Sequence, residues 1–240
     1  MHRFFTAREN ISGDQVVFPQ GDGEHIHRVL RLRAGERVHV HDGEGTRFLV
    51  ELTEVGRQGV RGVVLGREGH DTESPLRVHL GQALLKGQAM DGVIRRAVEL
   101  GTASITPVTA VRCQVPEKAA RGKAERWQDI ARAAARQSGR SKIPPVHEAV
   151  SLAAYCEQHA GADLKLIFWE EEAATRLRDL KEAPASVALC IGPEGGFDAA
   201  EVAAARGSGF IPVSLGPRIL RAETAPLVAI ALVQSLWGDL

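Results

Sequence analysis

Near its C-terminal end the chain twice repeats one order of residues: a short apolar run, a glycine-bearing loop, then a stretch with helical character. The first run, residues 187–191, enters Ile191-Gly-Pro-Glu-Gly-Gly-Phe197, and a helical pattern follows over residues 198–206. The second, residues 210–215, enters Leu215-Gly-Pro-Arg-Ile-Leu-Arg-Ala-Glu-Thr-Ala225, and a helical pattern follows over residues 224–236. Short apolar runs that end in glycine and lead into helices predict parallel strands. The tandem therefore predicts an α/β sheet whose two loops lie side by side at the carboxyl ends of adjacent strands. Sheets of this class bind ligands there.

Neither loop fits a common nucleotide fingerprint. Gly192-Pro-Glu-Gly-Gly196 is not G-x-G-x-x-G, and G-x-x-x-x-G-K-[ST] occurs nowhere in the chain. Pro193 and Pro217 each remove an amide donor, and Glu194 would repel a pyrophosphate. Such loops suit a ligand with an adenine to be read by backbone groups and a positive centre. Tight turns that bind nothing are the plainer alternative.

The 240 residues, 44% hydrophobic and 25% charged, can bury one large core or two small ones. No apolar run approaches the roughly 18 residues of a membrane span, and the opening MHRFFTAREN lacks the apolar centre of a signal peptide. Cys113, Cys156 and Cys190 are odd in number and widely spaced. They read as reduced thiols of a cytoplasmic protein, not as a disulfide or zinc framework. Net charge is zero, yet residues 112–142 carry nine Lys/Arg against three Asp/Glu, and residues 143–240 carry seven against thirteen. A neutral total can thus hide a basic face.

Residues 1–70 read as short strands with glycine turns: 15–18, 37–41, 47–55 and 59–65, with residues 24–30 helical. That pattern predicts a small closed barrel. Residues 67–75 form a polar linker, and residues 73–240 read as the second domain. In it, strands are expected at 77–85, 103–110 and 164–169, and helices at 87–100, 124–137 and 175–181, before the tandem units. Pro107 argues that its strand lies at an edge or ends there.

Several motifs in one order carry a resemblance over nearly the whole chain. They are His2-Arg-Phe-Phe5, His27-Arg-Val-Leu-Arg31 with Gly35-Glu36, Lys86-Gly-Gln-Ala-Met-Asp91, Glu99-Leu-Gly101, Gln137-Ser-Gly-Arg140, and the two C-terminal loops. Together they resemble the SPOUT methyltransferases, in detail the RsmE family that methylates N3 of a uridine in 16S ribosomal RNA. Cys113, where that family usually has serine, and Ala222, where threonine is common, depart from the pattern. The resemblance implies a PUA-like RNA-binding barrel followed by an α/β domain with a trefoil knot, against the general rarity of threaded chains. It implies S-adenosylmethionine as cofactor, 16S ribosomal RNA or the 30S subunit as partner, a homodimer, and no metal.

The same resemblance sets the cofactor against Ile191, Gly192, Pro193, Gly195 and Gly196, and against Ser214, Leu215, Gly216, Ile219 and Leu220. Thr224 and Ala225 lie nearby, and Phe168, Trp169 and Glu170 form a third wall. Trp169 reads equally well as a core aromatic. Arg221, Glu194 and Glu223 are the catalytic candidates, with Arg221 placed to stabilise the anion formed when a uracil N3 gives up its proton. A phosphate contact or a bridge to Glu223 is the alternative for Arg221, and an N-cap is the alternative for Thr224. Asp198 and Glu201 are spaced as a capping box.

For RNA, Arg132, Arg136 and Arg140 recur every four residues, preceded by Arg121, Lys123 and Arg126. Such a row can track a phosphate backbone, or be a solvated face. Arg3, His27, Arg28, Arg31 and Arg112 complete the expected RNA contacts. His39 and His41 share a strand face, but no third ligand falls at metal-like spacing. Another SPOUT enzyme acting on a different RNA, or a non-catalytic ribosome-assembly factor, would share much of this pattern.

Overall fold

The computed structural model describes residues 1–69, 72–116, 118, 120, 122–180 and 183–240. The chain divides into two compact units, Met1–Glu73 with Ala135–Ile143, and Ser74–Ala134 with Pro144–Leu240.

The first unit is built on a curled six-stranded sheet in the order β1-β4-β5-β6-β3-β2. Its strands are β1 Arg3–Phe5, β2 Ile11–Ser12, β3 Gln15–Val17, β4 Arg37–His41, β5 Thr46–Gly56 and β6 Gly59–Gly69. β1 runs parallel to β4, and the remaining pairs are antiparallel. The turn between β4 and β5 forms because the Asp42 carboxylate accepts from the amides of Glu44 (2.9 Å) and Thr46 (3.0 Å). Register shifts at Leu49/Val50 and Leu52/Glu54 mark irregularities along the long β5–β6 hairpin. Alternate residues point inward, so Val38, Val40, Phe48, Val50 and Leu52 meet Phe4, Val16 and Phe18 in one core. Helix α1, Gln20–Glu24, continues into a π-helical turn, His25–Leu30, which drives Ile26 into that core.

The second unit has a six-stranded sheet in which every pairing is parallel, ordered β12-β10-β11-β7-β8-β9. The strands are β7 Arg77–Ala83, β8 Ser104–Thr109, β9 Val150–Ser151, β10 Leu164–Phe168, β11 Ser186–Ile191 and β12 Ile211–Val213. All six residues of β11 are buried, as expected of a parallel strand covered on both faces. β8 is not the edge strand that Pro107 suggested: Val146 bridges Ile105 and β9 pairs with Val108 and Thr109, so Pro107 falls between two outer pairings.

Helices α4, Leu152–Gln158, and α5, Ala199–Gly207, pack together through Leu152, Tyr155, Cys156, Val202 and Ala205 over Ile167, Ala188 and Cys190. Helices α2, Ala89–Glu99, and α6, Ala225–Trp237, pair with each other, and α6 also meets β7 and β11. The buried Gln234 of α6 donates to the carbonyl of Leu100 (3.1 Å) and accepts from Ser74 (2.7 Å), closing the C-terminal end of α2. Helix α3, Ala124–Ser138, spans the point where one unit gives way to the other.

One expectation is corrected by the strand order. β11 and β12 are not neighbours; β10 lies between them. A crossover separates the tandem units in space, although they are consecutive in sequence. The short-range pattern of the last fifty residues carries no information about a strand inserted from residues 164–168.

Candidate functional site

Three loops leave the carboxyl ends of β10, β11 and β12 and wall a cleft of about 630 Å³. Because β10 is the middle strand, Phe168, Trp169 and Glu170 form the wall between the two glycine loops. Trp169 is held by its amide donating to Val213 O (3.2 Å), and Ser214 by its amide donating to Thr175 O (2.9 Å). The loops after β10 and β12 are thus tied to each other by main-chain bonds.

The first glycine loop turns tightly: the Gly196 amide donates to Pro193 O at 3.0 Å. Gly196 has φ +69, which requires glycine, and a Cβ there would displace the Glu170 carboxylate from the wall. In the second loop, Gly216, at φ +110, donates its amide to Ser214 Oγ (3.2 Å). Distant segments brace the first loop. Arg112 donates to Gly195 O (3.2 Å) and to Asp198 (3.3 Å), and the Lys86 amide donates to Glu194 (3.1 Å). Asp198 and Glu201 form the expected capping box at the start of α5.

Of the residues named for this site, Ile191, Gly192, Pro193, Gly196, Ser214, Leu215, Gly216, Ile219, Leu220 and Ala225 line the cleft with the Phe168–Glu170 wall. Glu194, Arg221 and Glu223 line it too. Gly195 and Thr224 do not: Gly195 faces Arg112, and Thr224 stands at the N-cap of α6. The Thr224 side chain makes no capping hydrogen bond, so its first role is positional. Thr224 and Ala225 both donate their amides to Arg221 O, at 2.8 and 2.9 Å, and this fixes the Arg221 backbone at the mouth of α6.

The Arg221 side chain is 86% exposed, and its nearest carboxylate is Glu223 at 4.0 Å, a loose contact that leaves the guanidinium free to turn. Trp169 is half-buried, and its indole nitrogen is shielded with no hydrogen-bond partner among the described residues. The ring both lines the cleft and packs against the core cluster under α4 and α5, so it serves as wall and core together.

Sequence reasoning missed Glu172, Arg176 and Arg218, which also line the cleft. The Glu172 carboxylate is held below the usual range by hydrogen bonds from the amides of Thr175 and Ala174. The run Glu170-Glu-Glu172 was the available signal for Glu172, and Arg218 stood inside the quoted second loop. Cys113 is half-buried, and burial raises its thiol pKa, so it is not poised as a nucleophile.

The expected arginine row is not a free stripe. Arg132 pairs with Asp129 at 2.5 Å, and Arg136 with Asp22 at 3.0 Å. Arg140 lies beyond the end of α3, is only 5% exposed and is ion-paired with Glu73, so it holds its own unit together and is not offered to a phosphate. Arg121 lies outside the described residues. Arg112 serves the glycine loop as described. Arg3 packs against Gly139, Arg31 has φ +54 at the end of the π-turn, and His27 and Arg28 line a concavity of the first unit. His41 is buried against the Phe5 ring (5.3 Å), and His39 lies 3.9 Å from Glu68. No group of three or more His, Cys, Asp or Glu among the described residues is arranged to hold a metal, and no described helix is long and apolar enough to cross a membrane.

Residues 72–234 match the RNA methyltransferase domain family, and residues 18–65 match the RNA methyltransferase PUA domain. The chain is 35% identical to ribosomal RNA small subunit methyltransferase E of Synechocystis over 98% of this chain and 78% of that protein. It is 30% identical to the Bacillus subtilis protein of the same name over 96% of this chain and 92% of that one. The crystal structure of ribosomal RNA small subunit methyltransferase E from Neisseria gonorrhoeae bound to S-adenosyl methionine superposes with a TM-score of 0.91 at 37% identity, covering 100% of this chain and 99% of that one. With the fold and cleft above, these place the chain in the ribosomal RNA small subunit methyltransferase E family.

Proposed function

We propose that this chain transfers a methyl group from S-adenosylmethionine to N3 of a uridine in 16S ribosomal RNA. The observation that carries the reading is the cleft where three loops meet, with the tight turn at Gly196 set beside Glu170. Its residues suit the cofactor. The chain presents backbone groups for an adenine along residues 191–196 and 214–220. The carboxylates of Glu170, Glu172, Glu194 and Glu223 outnumber the guanidinium groups of Arg176, Arg218 and Arg221 by one, a balance that mildly favours a cationic ligand. When bound, the cofactor supplies an electrophilic methyl, and the protein supplies binding, orientation and electrostatics.

Arg221 lies at the cleft mouth on a fixed backbone with a mobile guanidinium. Beside a uracil carbonyl, that cation stabilises the N3 anion more than the neutral base, which is the condition for raising turnover. Glu223 stands in loose reach of Arg221 without fixing it, and Glu194, tied to the Lys86 amide, braces its loop. Arg132 and Arg136, already paired, can exchange their carboxylates for phosphates, whereas Arg140 cannot without breaking a buried pair. The first unit docks the RNA as a PUA-like domain, the enzyme works in the cytoplasm on free RNA or the 30S subunit, and two chains form the active dimer.

The test is Arg221→Ala in single-turnover methyl transfer at saturating RNA. The rate should fall by about 10²–10³, with RNA affinity nearly unchanged. Arg221→Lys should recover only part of it, because a point charge does not replace a planar fork of donors. Lost RNA affinity with an unchanged single-turnover rate would make Arg221 a phosphate contact instead.

A further inference from the structure

We infer that a concavity of the first unit, between the tip of the β5–β6 hairpin and the α1–π-turn segment, binds a single unstacked ribonucleotide of the RNA substrate. The inference rests on the RNA-methyltransferase reading and adds to it a second site of stated chemistry. The concavity measures about 380 Å³. That is the size of a small-molecule site, roughly 300–1,000 Å³, and it cannot admit a duplex. Sequence-specific RNA recognition favours such places, because an unstacked base can be splayed into them.

The charges divide in a way that leaves cations available. Of the two acids on its wall, Glu54 lies 3.8 Å from Arg61, and Glu24 accepts from Gln20 at 3.3 Å. Arg28 and Arg57 are exposed and form no ion pair among the described residues. Two guanidinium groups around a small cavity suit the phosphate of one nucleotide. The rest of the wall suits a base. Val17 is 49% exposed there, an apolar surface open to a ring face, and the half-buried imidazole of His27 supplies a flat one. Hairpin residues Gly56 and Gly59 have open space where a Cβ would stand, so a base edge can reach their backbone.

The backbone is bent to make this arrangement. A regular helical turn gives way to a π-turn at His25–Leu30, the kind of widening that recurs at functional sites. It is closed by the Leu32 amide donating to Ile26 O (3.1 Å) and by Arg31 in the left-handed region at φ +54. Arg31 is the only residue other than glycine with positive φ among the described residues, a conformation that side chains disfavour. With Ile26 fixed in the core, the next two residues, His27 and Arg28, are presented to the hairpin tip.

The experiment titrates the full-length chain with single-stranded hexauridylate, with an RNA duplex of the same length, and with inorganic phosphate. It follows the amide resonances of Val17, Gly56 and Gly59. The single strand should move all three at lower concentration than the duplex, and phosphate should move them only weakly. The double substitution Arg28→Ala with Arg57→Ala should raise the hexauridylate Kd at least about tenfold. It should also lower the salt slope by about 0.7, for one phosphate contact on a single strand. Calorimetric cofactor affinity checks that the variant is folded. If it is not, Val17→Glu, at a half-exposed position, puts a carboxylate into the same concavity and should produce the same loss. Equal binding of duplex, equal response to phosphate alone, or an unchanged Kd in the folded variant overturns the inference. Absence of methyl transfer to 16S ribosomal RNA by the unaltered chain would instead overturn the reading on which it rests.

Discussion

The carboxyl end of the parallel sheet and the half beneath it handle polar groups in opposite ways. At the carboxyl end the Trp169 indole has no partner among the described residues, and Arg221 stands 86% exposed. Beneath, the polar side chains are turned on one another. His79 Nδ1 lies 2.8 Å from Ser104 Oγ, and the Tyr155 hydroxyl, fully buried, donates to His79 O (2.9 Å) with Leu189 O at 3.1 Å. Asp163 accepts from the Ala185 and Ser186 amides and from the Ser186 hydroxyl. Polar groups satisfied inside the protein contribute to stability, whereas one exposed at a cleft, as Arg221 is, stays available to a ligand. The two regions can therefore be separated by substitution: one should lose binding, the other folding.

The largest effect is expected at Gly196. Gly196→Val meets both the positive φ and the Glu170 carboxylate, and the only relief is to unmake the turn or expel Glu170 from the wall. Cofactor affinity measured by calorimetry should fall by at least about 100-fold, or roughly 2.7 kcal/mol, while the melting temperature changes little. Gly195→Val should do less, because Gly195 has no positive φ and does not line the cleft, although its Cβ would stand 3.1 Å from Arg112 Cβ. Unchanged cofactor affinity in folded Gly196→Val would remove this loop from the cofactor site.

Gly81 is the counterpart beneath. Its Cβ would stand 2.6 Å from the Tyr155 ring, in a core with nowhere to move. Gly81→Ala should cost about 1–3 kcal/mol by overpacking, read as a lower urea midpoint, with cofactor affinity retained in the folded fraction. Equal losses of binding and stability at both glycines would erase the distinction between the two regions.

Local chemistry was legible from sequence wherever the cause was local. The Asp198–Glu201 box, the strands at Arg37–His41 and Ser186–Ile191, and the turn at Asp42 all follow from short spacings. The three cleft walls were named through resemblance, but their arrangement was not, because β10 enters between β11 and β12 by a crossover that periodicity does not encode. The arginine row was legible only in part for a related reason. Helical spacing put Arg132 and Arg136 on one line, and Arg140 with them only if the helix ran on; the helix stops at Ser138, and Glu73, sixty-seven residues away in sequence, pairs with Arg140. Arg112 was legible as a charge, and its bond to Gly195 O was not. Residues 135–143 returning to the first unit is likewise a tertiary fact, invisible to any division made along the chain.

The smallest effect expected is a pH dependence, and it belongs to the lower region. The His159 ring stacks 4.5 Å from Tyr155 and 4.9 Å from His79. Burial, then the neighbouring His79 and His147, push its pKa from 6.5 down to about 4. His79 is lowered in the same direction by burial, then by Arg77 and His147. A depressed folded-state pKa means that the unfolded chain binds the proton more readily. The stabilisation is therefore complete above pH 6.5 and is lost as pH falls from 6.5 towards 4. His159 is only half-buried, so solvent screening reduces the effect to about 1 kcal/mol. Urea unfolding at pH 7.5, 6 and 5 should show that decline, and His159→Phe, which keeps a ring against Tyr155, should flatten part of it. Glu172 at the carboxyl end is lowered too, by hydrogen bonds from the Thr175 and Ala174 amides, so it acts in the same sense but from a lower starting pKa, as a carboxylate. A decline unchanged in His159→Phe would show that the histidine stack is not its source, and the protons would have to be sought among the surface carboxylates.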